Sequence, residues 1–482
     1  MKKITTVVLL SIFGNLAFGQ NANTYSKEIQ DKIKQVENNL VPWAMAQDSL
    51  KFSLEERMVQ YKIPGLSIAV IKDYKIEWVK SYGWADIAQH RPVTTETLFQ
   101  AASLSKSLNG VGVLKLVQDK KINLNDDINN YLKTWKFPYD SLSNNKKITT
   151  ANLLSHTAGL TVHGFKGYPE GDSIPTLSEI LDGKSPANSL AVRSMYEPGK
   201  KVEYSGGGTT ISQLIVTDIT QQKYEDYMWL QVLKPMGMNN SFFTQPPPPD
   251  KQNLLATGYN RYGEEMKEGK YNIYPEKAAA GLWTNPTDLA KYIIETQLSF
   301  QGKSGKVLSP EMTRLRLTPY LDSINAFGVY INKKGNEKYF QHSGSNEGFV
   351  CQYRGSLEYG NGVVVMVNSD NLGILNEIIN SVAIVYKWAD FYNPAVKKTI
   401  TLTDDILKNY VGTYLLDGDT VSIVKKENGL WLNSSIQSKM YFTTELDFYI
   451  TENKADYKFS KNLNGIINGY TVNGNKKAIR IK

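Results

Sequence analysis

Apolar residues between Tyr25 and Leu40 recur as Ile29, Ile33, Val36 and Leu40, the spacing of one helix face. A second helix is predicted over about Ser53 to Lys62 and stops at Ile63-Pro64-Gly65. The apolar runs Leu66–Ile71 and Ile76–Tyr82 meet across Asp73-Tyr74, which predicts a hairpin with a tight turn. From Leu104 to Asp119 the period is helical again, with Leu108, Val111, Leu114 and Val117 on one side. Helical texture continues from Asn125 to about Phe300, broken at Pro198-Gly199, at Gly206-Gly207-Gly208 and at Pro246 to Pro249. That proline run is expected to be extended and exposed, a rigid spacer. Strands return near Phe327–Tyr330, Tyr339-Phe340, Phe349–Tyr353 and Val363–Val367, before a helix carrying Leu375, Ile378, Val382 and Val385.

An N-terminal hairpin, a helical middle and C-terminal strands predict an α+β domain over residues 20–395. Its antiparallel sheet would be assembled from both ends, flanked by helices and joined by a helical subdomain. The texture changes near Pro394. Over residues 400–482, short alternating runs such as Val421-Ser422-Ile423 and Leu430-Trp431-Leu432 come with the turn pairs Asn428-Gly429, Asn464-Gly465 and Asn473-Gly474. This predicts a separate small all-β domain, sandwich or barrel.

The composition, 41% hydrophobic and 21% charged over 482 residues, is that of a globular protein and excludes collagen, coiled-coil and disordered classes. The formal charge is +8, but the lysines come singly or in doublets, a solvated surface rather than a nucleic-acid site. One cysteine, Cys351 in an apolar strand, allows no intrachain disulfide and no cysteine-built metal site. Four histidines without a His-Glu-x-x-His predict no metal and no cofactor. Lys2-Lys3, the apolar run Ile4–Phe13 and Ala17-Phe18-Gly19 read as a secretory signal over residues 1–19. The expectation is a bacterial protein exported to the periplasm or beyond, without a stable membrane span. Its partner would be a small-molecule or peptide substrate; no oligomeric state follows from the sequence.

There is no Gly-x-Ser-x-Gly, no phosphate loop and no Gly-x-Gly-x-x-Gly. What remains is Ser103-Leu104-Ser105-Lys106. On a helix this step puts Lys106 one turn from Ser103, a rise of about 4.5 Å. A serine hydroxyl needs a neighbour to take its proton, and a lysine whose pKa is lowered can do so. Two other Ser-x-x-Lys matches, Ser143–Lys146 and Ser422–Lys425, fall in a polar loop and a predicted strand. Only Ser103 opens a long apolar helix, whose first amides favour an oxyanion. Tyr204, on a loop before an apolar helix, is placed to shuttle a proton to a leaving group. His342-Ser343-Gly344 sits at a strand end beside Ser345, where a basic side chain can meet an anionic substrate group and glycine admits substrate backbone to an edge strand. Lys303-Ser304-Gly305 matches the same basic-Ser-Gly pattern but lies in polar surroundings that read as an exposed loop.

These motifs resemble, in order, those of serine hydrolases related to class C β-lactamases and low-molecular-weight penicillin-binding proteins. The shared set is Ser103–Lys106, Leu153–Leu160, Glu197-Pro198-Gly199, Tyr204-Ser205-Gly206, Lys234–Met238, Gly281-Leu282-Trp283 with Asp288-Leu289-Ala290, and His342-Ser343-Gly344. They span about residues 50–390, and the tail resembles a small β-barrel module often appended to this family. The resemblance implies Ser103 as the acylated nucleophile, Lys106 as its base, Tyr204 in proton transfer and His342 in binding substrate charge. It also implies an oxyanion hole from the amides of Ser103 and Ser345, and a structural His156.

Two positions depart from the pattern. Gly206 stands where the family's Tyr-x-Asn has an amide, and His342 where Lys-Thr-Gly has its lysine. Both fit the esterase and D-amino-acid peptidase branches better than an efficient β-lactamase. The expected function is an acyl-enzyme serine hydrolase acting on an ester or D-amino-acid amide. The alternative is a non-catalytic or penicillin-binding envelope protein that binds peptidoglycan-like ligands.

Overall fold

Ser26 Oγ accepts the Ile29 amide and opens α1 (Lys27–Glu37), and a capping box of Ser53 and Glu56 opens α2 (Leu54–Gln60). The computed structural model describes residues 25–42, 44–46, 51–267, 269–427, 429–434, 436–453 and 455–482. The predicted signal segment and Asn428 of one predicted turn lie outside the described residues. The predicted hairpin is formed by β1 (Gly65–Lys72) and β2 (Lys75–Asp86). Its turn residues Asp73 and Tyr74 have φ of 51° and 62°, the left-handed pair that a two-residue hairpin turn of this hand requires.

Beyond the short β3 (Arg91–Pro92) come α3 (Ser105–Gln118), α4 (Gly206–Thr220), α5 (Lys277–Ala280), α6 (Pro286–Phe300) and α7 (Pro310–Arg316). Then follow β4 (Asn325–Ala326), β5 (Val329–Lys334), β6 (Glu337–Asn346), β7 (Phe349–Ser356), β8 (Gly362–Val367) and α8 (Gly373–Val385). The eight strands form one antiparallel sheet in the order β3-β2-β1-β8-β7-β6-β5-β4. Its seam is β1 against β8, with Val70 opposite Val363, so the sheet is built from both ends of the domain. Ala69, Ile71, Cys351, Tyr353, Val364 and Met366 share a core with α3 and α6. Ile68, Val70, Val350, Val363 and Val365 pack with α1 and α8 on the other face. A sheet covered on both sides needs unbroken apolar runs, which is what β1 and β8 carry.

Three features differ from expectation. The helix predicted from Leu104 has no single apolar side. α3 is buried almost all round, because it runs through the middle of the domain. The proline run is not a free spacer: Pro247 is buried and Pro249 starts a short 3-10 helix ending at Leu254. And β6, which carries His342, is an interior strand rather than an edge. Its partner β5 stops at Gln341, so residues from His342 to Asn346 have an open side.

The tail folds as a nine-stranded antiparallel sheet: β9 (Gly412–Leu416), β10 (Asp419–Lys426), β11 (Gly429–Asn433), β12 (Gln437–Lys439), β13 (Tyr441–Phe442), β14 (Asp447–Tyr449), β15 (Tyr457–Lys461), β16 (Ile467–Val472) and β17 (Lys476–Arg480). The order is β12-β11-β10-β9-β17-β16-β15-β14-β13. Its two outermost strands are separated only by Met440, so the sheet curls until its edges nearly meet, a barrel filled by Tyr410, Tyr414, Phe442, Phe448, Phe459 and Tyr470. Among the described residues no helix is long and apolar enough to cross a membrane.

Candidate active site

Ser103 sits inside a 3-10 turn, Ala102–Leu104, and α3 begins two residues later than the nucleophile position. Ala102 before it has φ of +46°, a conformation that costs a non-glycine residue energy and projects the serine out of the turn. Lys106 Nζ lies 3.1 Å from Ser103 Oγ and donates to the Ala279 carbonyl at 2.7 Å. Tyr204 OH donates to the same Ser103 Oγ at 2.8 Å. The lysine nitrogen is also 4.9 Å from the centre of the Tyr204 ring. Ser103, Lys106 and Tyr204, separated by up to 101 residues, therefore converge on one oxygen.

Lys106 is only 4% exposed, and burial lowers its amine to about 7. Near neutrality a large share of it is the free amine, with one N–H committed to Ala279 and a lone pair facing Ser103. Burial pushes the Tyr204 phenol up to about 12, so it stays protonated. Ser205 caps α4 through the Gly208 amide, which fixes Tyr204 one residue before the helix. His156 accepts the Ser205 amide at 3.2 Å, and its ring lies 4.5 Å from that of Tyr204. Burial keeps it neutral, a support beneath the tyrosine.

His342 is buried on β6. Its Nδ1–H donates to the Ser343 carbonyl at 2.7 Å, leaving Nε2 a bare, buried acceptor with no partner among the described residues. Burial, reinforced by the positive charge of Lys106, brings the imidazole down to about 3. The sequence expectation was a group that meets substrate charge; the structure holds His342 as a neutral, buried ring. Gly344 packs against the turn that carries Ser103. A side chain there would collide with the Ala101 carbonyl and come within 2.7 Å of Cys351 Sγ. The turn that carries Ser103 therefore requires a glycine at this position.

Gly206 opens α4, and a side chain in its place would meet the Phe165 ring at 3.0 Å and the His163 carbonyl at 3.2 Å. The loop 163–165 thus occupies the space an asparagine would need. Ser345 lies on β6 with its side chain exposed, opposite Val350. Cys351 is buried and its thiol donates to the Ala101 carbonyl at 3.1 Å, a structural role. Lys303 and Gly305 lie exposed after α6, and Ser304 bonds to Glu295, away from Ser103's network. Of the other Ser-x-x-Lys lysines, Lys146 pairs with Glu197 and Lys425 with Asp404.

Sequence reasoning missed the Ala279 carbonyl, the second anchor of Lys106, because a main-chain acceptor leaves no residue-type signal. It also missed the Asn346 amide, which donates to Gln100 Oε1 at 2.7 Å and to the Ala280 carbonyl at 3.1 Å. These bonds tie the end of β6 to Gln100, which precedes the Ser103 turn, and to α5, whose Ala279 carbonyl anchors Lys106.

A mixed α/β domain with a Ser-x-x-Lys turn packed under an antiparallel sheet is the architecture shared by β-lactamases and penicillin-binding proteins. The chain belongs to the Beta-lactamase family, whose profile matches residues 52–377. It is 26% identical over 346 residues to Protein flp of Staphylococcus aureus (strain MRSA252), covering 71% of this chain and 67% of that protein. Among solved structures it is similar to the octameric penicillin-binding protein homologue from Pyrococcus abyssi, with a TM-score of 0.61 and 21% identity, covering 89% of this chain and 98% of that one. It is also similar to the D-amino acid amidase from Ochrobactrum anthropi SV3, with a TM-score of 0.58 and 20% identity over 75% of this chain and 98% of that one.

Proposed function

We propose that this protein is an exported serine hydrolase that works through an acyl-enzyme on esters or amides of D-amino acids. The observation that carries the reading is the convergence of a buried amine and a phenol on Ser103 Oγ. Ser103 Oγ attacks the substrate carbonyl carbon while Lys106 Nζ takes its proton. The amides of Ser103 and Ser345 receive the developing oxyanion. Collapse of the tetrahedral intermediate breaks the bond to the leaving group, which takes a proton through Tyr204, and Lys106 then activates the water that frees the acid. A neutral His342 gives the cleft no fixed cation for a substrate carboxylate at that position, which supports the esterase and amidase branches. The amidase likeness agrees with this at the level of fold.

The test is labelling of the full chain with a fluorophosphonate or a penicillin, read by intact mass. One adduct, absent in Ser103→Ala, is expected. Undiminished labelling of that variant sinks the assignment.

A further inference from the structure

Tyr330 packs on His342 with ring centres 5.1 Å apart, and Tyr330 in turn feels the Tyr204 phenol, so Tyr204 lies towards the His342 end of the open side of β6. A leaving group protonated by Tyr204 therefore departs at that end. The acyl half of the substrate runs the other way, past Ser345 and Asn346 towards Glu347. Ser343, Ser345 and Glu347 are the exposed positions of this stretch, alternating with buried His342, Gly344 and Asn346. β6 ends at Asn346, and Glu347 is the first residue of the two-residue turn to β7, two residues past Ser345. A glutamate side chain and the two bonds from a carbonyl carbon to its α-nitrogen together span that gap.

Glu347 is not simply a surface carboxylate. Its Oε2 accepts from Asn272 Nδ2 at 3.0 Å, and the same Nδ2 donates to the Lys166 carbonyl at 3.0 Å. Asn272 is only 4% exposed, and its Oδ1 has no hydrogen-bond partner among the described residues. Glu347 enters no ion pair among the described residues. Behind the turn, Asp370 accepts the Gly348 amide at 2.6 Å and adds a second carboxylate, whose charge Arg261 favours. A carboxylate and an unpartnered buried amide oxygen side by side call for a ligand made of N–H donors.

We propose that Glu347, with the Asn272 amide oxygen, receives the protonated α-amine of the acyl-donor residue, so that the substrates are amino acid amides or esters with a free amine. This rests on the acyl-transfer reading above and narrows it. The experiment compares kcat/KM of the full chain on D-alanine p-nitroanilide and its N-acetyl derivative, with p-nitrophenyl acetate as a report of acyl transfer alone. The free amine is expected to be preferred by at least tenfold. Glu347→Gln is expected to bring that ratio near one, and Glu347→Asp to keep part of it. Turnover of p-nitrophenyl acetate without an amine preference overturns the Glu347 role and leaves the acyl-transfer reading intact. So does an equal loss on both anilides in Glu347→Gln. Absence of turnover on all three substrates overturns both.

Discussion

Lys106 is held between Ser103 and the Ala279 carbonyl in a space that shuts out water, and this has two measurable consequences. The first is kinetic. With the amine at about 7 and the Tyr204 phenol at about 12, kcat/KM is expected to rise with pH through about 7 and then hold level past pH 9. A pH–rate profile on a non-titrating ester checks this, and a rise centred near 9 or above contradicts it. The second concerns stability. An unfolded lysine keeps its proton to about 10.4, so between pH 7 and that value the unfolded chain binds more protons and stability increases with pH. At pH 7 and below, the buried cation costs up to about 5 kcal/mol. Lys106→Met is therefore expected to abolish turnover while raising Tm, by more at pH 6 than at pH 9. Thermal denaturation at the two values reads the sign directly.

At the scale of elements, β6 and the 3-10 turn at Ala102–Leu104 act as one unit, because Gly344 lets the strand lie on the Ala101 carbonyl. Gly344→Ala forces the two apart. The expected result is a loss of about 1–3 kcal/mol in a urea denaturation series, with Ser103 acylation slowed by more than 100-fold. Acylation at the native rate argues against this coupling. Elements of this kind were largely legible in the chain: the β1–β2 hairpin, the strands of β6 to β8 and the α8 stripe all follow from side-chain period. The turn at Ala102 was not legible, since nothing local marks an alanine for a left-handed φ. Nor could the period of α3 show that it is buried all round, which depends on what surrounds it.

Across the whole molecule, the barrel is fastened to the larger domain by a buried charge cluster. Arg57 of α2, fully buried, lies 2.7 Å from Glu377 of α8 and 3.3 Å from Glu452 of the barrel. Gln60 Nε2 adds bonds to Glu452 at 3.1 Å and to the Gln437 carbonyl at 2.8 Å. The fastening therefore engages α2 and α8, which pack against the face of the sheet opposite α3 and Ser103. With Glu452 neutralised, Arg57 keeps its pair with Glu377, so the loss falls on the attachment of the barrel rather than on the larger domain. Glu452→Gln is expected to loosen the barrel, seen as faster proteolytic cutting between residues 397 and 404, while Ser103 labelling persists. An unchanged cleavage rate contradicts the clasp.

The α+β order, the appended β tail and the grouping of Ser103, Lys106, Tyr204 and His342 were already written in the chain, because hydrophobic period and short motifs are local properties that survive being read one residue at a time. The state those groups are in is set by folding. Burial lowers Lys106, the Ala279 carbonyl anchors it, and the Ala101 carbonyl explains Gly344; each of these depends on atoms distant in the chain that folding brings within a few ångströms.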